Sequence, residues 1–284
     1  MLAGTYTVTE TDAQGNFQYF FLAMGASVHG WKFCRPVISV DGTFLKGKSH
    51  GTLLLATAQD GDNHLFPLAF SIVDSENDKS WHWFMTLLRV VYGFRDGLVI
   101  VSDRNTSIPK AIHAVFPEAN YAVCMQHLWA NVKAKFGKAY YGPLFYNCAK
   151  AYTKKDFDYW LAKMTESKPS MKQYLLDAKP ELWSRSQFMG KRYNVMTTNI
   201  SECLNSVMNE ARGWPVACLV LSYRSLLQRW FNEKRELIPR MLSGLTEHAF
   251  GILFNSEDDA RTMEVCFTTK INVNMWKLVL IIVY

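Results

Sequence analysis

Two short apolar runs in this chain each end on an aspartate. Val37 to Val40 stops at Asp41, and Gly42 follows at once; Leu98 to Ser102 stops at Asp103. A compact run of four or five apolar residues suits a strand covered on both faces, because alternation is lost when neither side meets water. A fold with such strands needs helices on both sides of a sheet. It also delivers whatever polar residue ends the strand to the sheet's rim, where open α/β sheets gather ligands.

The rest of the chain reads in order around those runs. Residues 1–30 lack clear periodicity, although Asn16 to Met24 has the composition of a strand. Cys34 to Val40 is the first firm strand, with Gly42 and Gly47 bracketing a turn. Gly51 to Gln59 and His64 to Val73 are the next two, joined by the Asp60-Gly61-Asp62-Asn63 turn, so three strands form an antiparallel meander. Ser80 can cap a helix over Trp81 to Tyr92, ended by Gly93. Leu98 to Ser102 is a fourth strand. A helix capped by Thr106 or Ser107, with Pro109 in its first turn, leads to a fifth, Asn120 to Val123. From residue 128 to about 192 the pattern is helical only. Further helices are expected from Thr198 to Ala211 and from Val216 to about Leu237, while the tail from Leu242 is hard to read. Right-handed crossovers lay strands four and five parallel to the first on its far side. The expected fold is therefore α/β: a mixed five-stranded sheet with RNase H-like topology, helices, and a large helical insertion before a last site-bearing helix. The expected division is a flank at 1–30, a core at 31–127, the insertion at 128–196, closing helices at 197–240, and a tail at 241–284 that reads as truncated.

Charge narrows the partner. The net +6 is uneven: residues 131–196 hold 13 basic and 5 acidic side chains, net +8, while 1–130 is net −2 and 197–284 is neutral. Such a basic segment fits an anion, nucleic acid above all, or a merely solvated helical surface. Candidate DNA contacts are Lys46 and Lys48 after the first Asp, Arg104 after the second, and Lys133, Lys135, Lys191 and Arg192 in the basic segment. Six cysteines without a C-x-x-C pair suit free thiols in a reduced intracellular setting. No signal peptide opens the chain, and the longest apolar run, Leu278 to Tyr284, is seven residues, so no membrane span is expected.

If the two Asp-ended strands are neighbours, Asp41 and Asp103 emerge together, and paired hard oxygens suit Mg²⁺ or Mn²⁺. The plainer alternative is that each Asp caps its following turn. Asp74, Glu76 and Asp78 form an acidic loop read as solvated or capping. Cys124 and His127 make a C-x-x-H pair. Two ligands cannot close a zinc site, and no zinc finger is expected. The pair is read either as packed at a strand-to-helix corner or as active-site-adjacent.

Five blocks in order give a resemblance: D-G-T-F-L-K-G at Asp41–Gly47, S-W-H-W-F from Ser80, S-D-R at Ser102–Arg104, F-P-E-A-N-Y-A-V-C-M-Q-H-L at Phe116–Leu128, and T-T-N-I-S-E-C-L-N-S at Thr197–Ser206. Together they resemble plant Mutator-like element (MULE) transposases over roughly residues 16–240. The resemblance implies an RNase H-like DDE core whose catalytic and metal-binding acids are Asp41, Asp103 and Glu202. The third is one that residue pattern alone does not pick out. It implies two Mg²⁺ or Mn²⁺ ions driving in-line DNA cleavage and strand transfer. It further implies transposon-end and target DNA as partners, a homo-oligomer in the DNA complex, and a nuclear location. The alternative it carries is a domesticated, non-mobilising DNA-binding regulator of the far-red-impaired-response type. The zinc-binding regions that commonly flank the core in full-length relatives have no counterpart here, and Ile271 to Tyr284 matches nothing in that family.

Overall fold

The structure is a computed structural model describing residues 4–47, 50–137, 141–237 and 245–262. Its centre is one mixed sheet of seven strands: β1 (Tyr6–Thr11), β2 (Phe17–Ala23), β3 (Val37–Phe44), β4 (Thr52–Gln59), β5 (Leu65–Val73), β6 (Val99–Ser102) and β7 (Asn120–Val123), in the order β1-β2-β5-β4-β3-β6-β7. Two more strands than expected come from the N-terminal stretch. β1 and β2 form a hairpin because Asp12 folds the link: its Oδ1 accepts from the amides of Gln14 and Asn16 at 2.9 and 2.8 Å, and Gly15 takes φ +83°. β2 then joins β5 antiparallel. Burial along β2 runs on without alternation at Phe21–Ala23, which hides its period from the sequence.

β3 also extends further than the Gly42 reading suggests. It continues past Asp41 to Phe44, paired with β4 through Gly42↔Leu54 and Phe44↔Thr52, so Gly42 lies inside a strand rather than in a turn. On its other side β3 pairs parallel with β6, and β6 with β7.

Eleven helices occur among the described residues. Helix α1 (Gly25–Gly30) precedes β3; α2 (Asp78–Tyr92) and α3 (Ser107–Val115) flank β6 in sequence. α2 starts two residues before the expected cap. Asn77 caps it by accepting from the Ser80 amide at 2.9 Å, and Ser80 Oγ accepts from the Asn77 amide at 3.0 Å. That reciprocal box is worth about 1 kcal/mol. Ahead of α3 it is Asn105 whose Oδ1 accepts from the Ser107 amide, at 3.0 Å; Thr106 makes no capping bond. Trp81, Phe84, Leu88, Ile108 and Ile112 from α2 and α3 pack with Ile38, Val40 and Ile100 over one face of the sheet.

Helices α4 (Met125–Phe136), α5 (Tyr141–Lys150), α6 (Lys154–Thr165), α7 (Pro169–Asp177) and α8 (Pro180–Trp183) gather around their own apolar cluster of Phe145, Phe157, Leu161, Met171 and Trp183. Next come α9 (Asn199–Val207), shorter than expected because the chain turns at 208–210 and then forms a 3₁₀ segment at Ala211–Gly213, α10 (Val216–Leu237) and α11 (Glu247–Arg261). Leu204 of α9 and Leu219, Tyr223, Leu226 and Leu227 of α10 cover Leu53, Leu55, Phe70 and Ile72 on the second face. Among the described residues no helix is long and apolar enough to cross a membrane. The apolar end, Leu278 to Tyr284, lies outside the described residues, as do Cys266 and Lys48.

Candidate active site

The site begins with strand register. β3 and β6 pair in parallel as Val37↔Val99, Ile38↔Ile100 and Ser39↔Val101, an offset of 62. Asp41 and Asp103 are also 62 apart, so Asp103, one residue past the end of β6, falls level with Asp41 inside β3. Period-two alternation puts both on one face with Val37, Ser39, Val99 and Val101. That is the face covered by α9 and the segment around Val195.

α9 is seated by its serine. Ser201 is fully buried; its hydroxyl lies 2.8 Å from Thr57 Oγ1 of β4 and donates to the Ser39 carbonyl at 3.2 Å. The next residue, Glu202, is thereby held near β3, close enough to Asp41 for the two charges to interact. One turn on, Asn205 Nδ2 donates to Asp41 Oδ2 at 2.6 Å. Asn205 is only 8 % exposed, and its Oδ1 has no partner.

The C-x-x-H pair enters from β7. Cys124 is the N-cap residue of α4 and His127 lies in its first turn. Thr198 ties them to α9: its amide donates to Cys124 Sγ at 3.3 Å, and its hydroxyl lies 3.4 Å from His127 Nδ1 and donates to Glu202 Oε1 at 3.3 Å. His127 Nε2 in turn faces Glu202 Oε1 at 3.8 Å. Ligand atoms of Cys124, His127 and Glu202 lie within 4.8 Å of one another; among the described residues the expected trio of Asp41, Asp103 and Glu202 does not come together to that distance. Burial pushes the Cys124 thiol up, but bonds from His127 and Thr198 outweigh it and leave the pKa lowered. The bond to Cys124, against burial, raises His127 to about 9, with Asp41 and Glu202 adding to the rise.

Asp41 carries the penalty of this crowding. Burial above all raises its pKa to about 7, opposed by His127 and reinforced by Asp103, Glu202 and Glu76. Asp103 spends one oxygen on its turn, accepting from the Asn105 amide at 3.0 Å. So the turn-capping alternative describes one oxygen of Asp103, while Asp41, inside a strand, caps nothing. Beyond Asp41, Arg212 holds the strand end to α9's exit: it donates to Thr43 Oγ1, to the Phe44 carbonyl at 3.3 Å and to Asn209 Oδ1 at 2.7 Å.

The candidate DNA contacts divide. Lys133 and Lys191 are exposed. Arg104 donates to Tyr174 Oη at 2.7 Å, and Lys135 lies 4.6 Å from the centre of the same ring, a basic pair sharing one aromatic. Lys46 is exposed but bonded to Asn209 at 2.6 Å. Arg192 is different: it is 5 % exposed and donates to the carbonyls of Val195, Leu182 and Val123, each at 3.3 Å. Its guanidinium fastens the start of the α9 segment to β7 and offers nothing to a phosphate.

Two residues of the site escaped the sequence reading. Asn205 could have been found from its place three residues after Glu202, on the same helix face. Glu76 was grouped with Asp74 and Asp78, yet those two are exposed, Asp78 paired with Lys110 at 2.7 Å, while Glu76 is half-buried. Burial first, then Asp103, raises its pKa, opposed by the nearby Trp81 indole and by the bond from Asn105.

No curated protein matches the chain. Residues 37–131, from the start of β3 into α4, match the family model of the MULE transposase domain; the span holds Asp41, Asp103, Cys124 and His127 and stops short of Glu202.

Proposed function

We propose that the chain is the catalytic core of a DDE-type DNA transposase on an RNase H-like sheet, cleaving and joining DNA strands with Asp41, Asp103 and Glu202. The observation that carries this reading is the shared rim: two acids on adjacent parallel strands in one register, met by a glutamate from a helix seated on the same face. The matched family domain gives it a transposase-type setting with DNA as the partner.

The donor set fits a divalent cation. Asp41 and Asp103 lie on neighbouring strands, Asp41 is buried at an energetic cost that a cation would relieve, and the buried Asn205 Oδ1 lacks a donor. Mg²⁺ or Mn²⁺ held by Asp41, Asp103 and Glu202 would supply activation of the attacking hydroxyl and stabilisation of the departing 3′ oxygen. The protein's own residues do the positioning. Asn205 takes one oxygen of Asp41 and so fixes which oxygen faces the site. Thr198 and His127 orient Glu202, and Arg212 anchors the end of β3. Arg104, Lys133, Lys135 and Lys191 form the basic side that meets the DNA backbone, in an oligomeric complex within the nucleus.

The test is nicking of a supercoiled plasmid or a labelled duplex by purified protein with Mn²⁺. Cleavage that disappears in Asp41→Asn, Asp103→Asn and Glu202→Gln supports the reading. Salt-dependent DNA binding that survives Asp41→Asn, with no cleavage by the wild type, would replace it with a DNA-binding regulator.

A further inference from the structure

We propose that Cys124, His127 and Glu202 form a separate site for a thiophilic divalent cation of the Zn²⁺ type, at the corner where β7 enters α4. It touches the three-acid reading above only through Glu202, which the two sites would share; Asp41 and Asp103 take no part in it.

The first observation is convergence. One ligand atom each from Cys124, His127 and Glu202 lies within 4.8 Å of the other two. Around tetrahedral zinc, with bonds of about 2.3 Å to sulfur and about 2.0–2.2 Å to nitrogen and oxygen, neighbouring ligand atoms stand roughly 3.4–3.6 Å apart. His127 Nε2 and Glu202 Oε1 are 3.8 Å apart, near that spacing and too far for a hydrogen bond. Their side chains are 36 % and 40 % exposed, so they have room to close on an ion, and an ion has a way in.

The second is how the pair on α4 is built. Cys124 is the N-cap residue and His127 the third residue of the helix, positions whose side chains meet at a helix start. Cys124 makes no capping bond to its own helix. Its sulfur, in a fully buried residue, accepts instead from the Thr198 amide at 3.3 Å. An N–H aimed at the sulfur is the kind of outer support that orients a metal-bound thiolate.

The third is that one buried residue touches all three groups. Besides its amide bond to Cys124, Thr198 places its hydroxyl 3.4 Å from His127 Nδ1 and donates it to Glu202 Oε1 at 3.3 Å. Sulfur, nitrogen and oxygen are thus held at one point by α4 and the start of α9 together.

The donor set selects the ion. Thiolate and imidazole suit Zn²⁺ and its neighbours, while Mg²⁺ and Mn²⁺ keep to oxygens. The two sites therefore sort their cations by chemistry and compete for Glu202. Three protein ligands leave a fourth position to water, which is an open site and not a zinc finger. As the metal–sulfur bond forms, the thiol proton leaves to solvent.

The experiment is Co²⁺ titration of the full chain followed by absorption spectroscopy, with Zn²⁺ added last. The chain carries Cys203→Ser, Cys218→Ser and Cys266→Ser, which removes the exposed thiols of Cys203 and Cys218 as competing sources of signal. The proposal expects a thiolate-to-cobalt charge-transfer band in the near ultraviolet that Zn²⁺ bleaches. Cys124→Ser should lose the band, and His127→Gln should weaken Co²⁺ binding about ten-fold or more. Asp41→Asn should keep the band. Circular dichroism checks that each variant folds; should Cys124→Ser not fold, His127→Gln decides. No charge-transfer band, a band that survives Cys124→Ser, or wild-type affinity in His127→Gln would overturn the proposal. Mn²⁺ binding that Asp41→Asn abolishes would then leave the three-acid site standing, whereas a sulfur band in a chain that binds no Mn²⁺ would support this site and remove the other.

Discussion

The rim of the sheet and the helical layer at 128–196 carry opposite charge in opposite ways. At the rim Asp41, Asp103, Glu202 and Glu76 crowd a partly buried place, and the raised pKa of Asp41, about 7, shows the cost. In the helical layer the basic excess is mostly on the outside: Lys133, Lys135 and Lys191 face solvent, and the one buried arginine, Arg192, is satisfied by backbone carbonyls. The layer does not neutralise the rim; only His127, at its first turn, reaches the acids. Proximity with solvated positive charge would be a cheap way to stabilise carboxylates. At the rim His127 and Arg212 supply part of that charge, which leaves a place for a small cation, and leaves the lysines for a long anion.

The sharpest way to break this comparison is to remove the negative charge. Asp41→Asn should reduce Mn²⁺-dependent cleavage by roughly 10³-fold or more, about 4 kcal/mol of barrier, in a plasmid-nicking assay. The same variant should melt higher than wild type in chelator at pH 8, because it removes a buried charge and can still accept from Asn205. A lower melting point would mean that Asp41 is stabilised by the fold rather than strained by it.

The helical layer is tested next, by contrasting its two kinds of cation. Arg192→Ala should destabilise the protein by roughly 2–3 kcal/mol in urea unfolding, since three carbonyls lose their donor. Lys133→Ala and Lys135→Ala should leave stability within about 0.5 kcal/mol. Each should instead reduce the slope of log affinity for duplex DNA against log salt by about 0.9 if it contacts a phosphate. Equal behaviour of Arg192 and the lysines would erase the distinction.

The smallest effect is a pH slope. Asp41 and His127 both bind protons more tightly in the fold. The stability Asp41 contributes is present in full below its ordinary 3.8 and is lost as pH rises through about 7. That from His127 is present below 6.5 and lost as pH rises through about 9. Stability in chelator should therefore decline from about pH 4 to 9, and His127→Gln should flatten the part of that decline above 6.5. With saturating Mn²⁺ the slope should diminish or reverse, since the ion needs the deprotonated acids.

The two Asp-ended strands were legible because each is a compact apolar run, and a parallel register converts equal spacing into adjacency. Val216–Leu237 was legible for a similar reason, with Gly213-Trp214-Pro215 before it and Leu219, Tyr223, Leu226 and Leu227 at helical spacing. β2 was legible as a strand from the composition of Asn16 to Met24, but its place in the sheet was not, since its buried end suppresses alternation, and β1 was missed because the hairpin depends on side-chain bonds from Asp12. Glu202 could not be read from pattern, and Asn205 only by its spacing from Glu202. What distinguishes them from other helix-face polar residues is Ser201, whose bonds to Ser39 and Thr57 lie over 140 residues away in sequence. Gly42 was read as turn chemistry because a glycine inside a strand and one needed for φ look the same in a sequence. Glu76 was lost among neighbouring acids for want of the contact that sets it apart.

The most direct measurement is anomalous scattering from crystals grown with Mn²⁺. The account predicts a strong peak among the carboxylates of Asp41, Asp103 and Glu202. A peak held instead by Cys124, His127 and Glu202, or none at the rim at millimolar Mn²⁺, would contradict it.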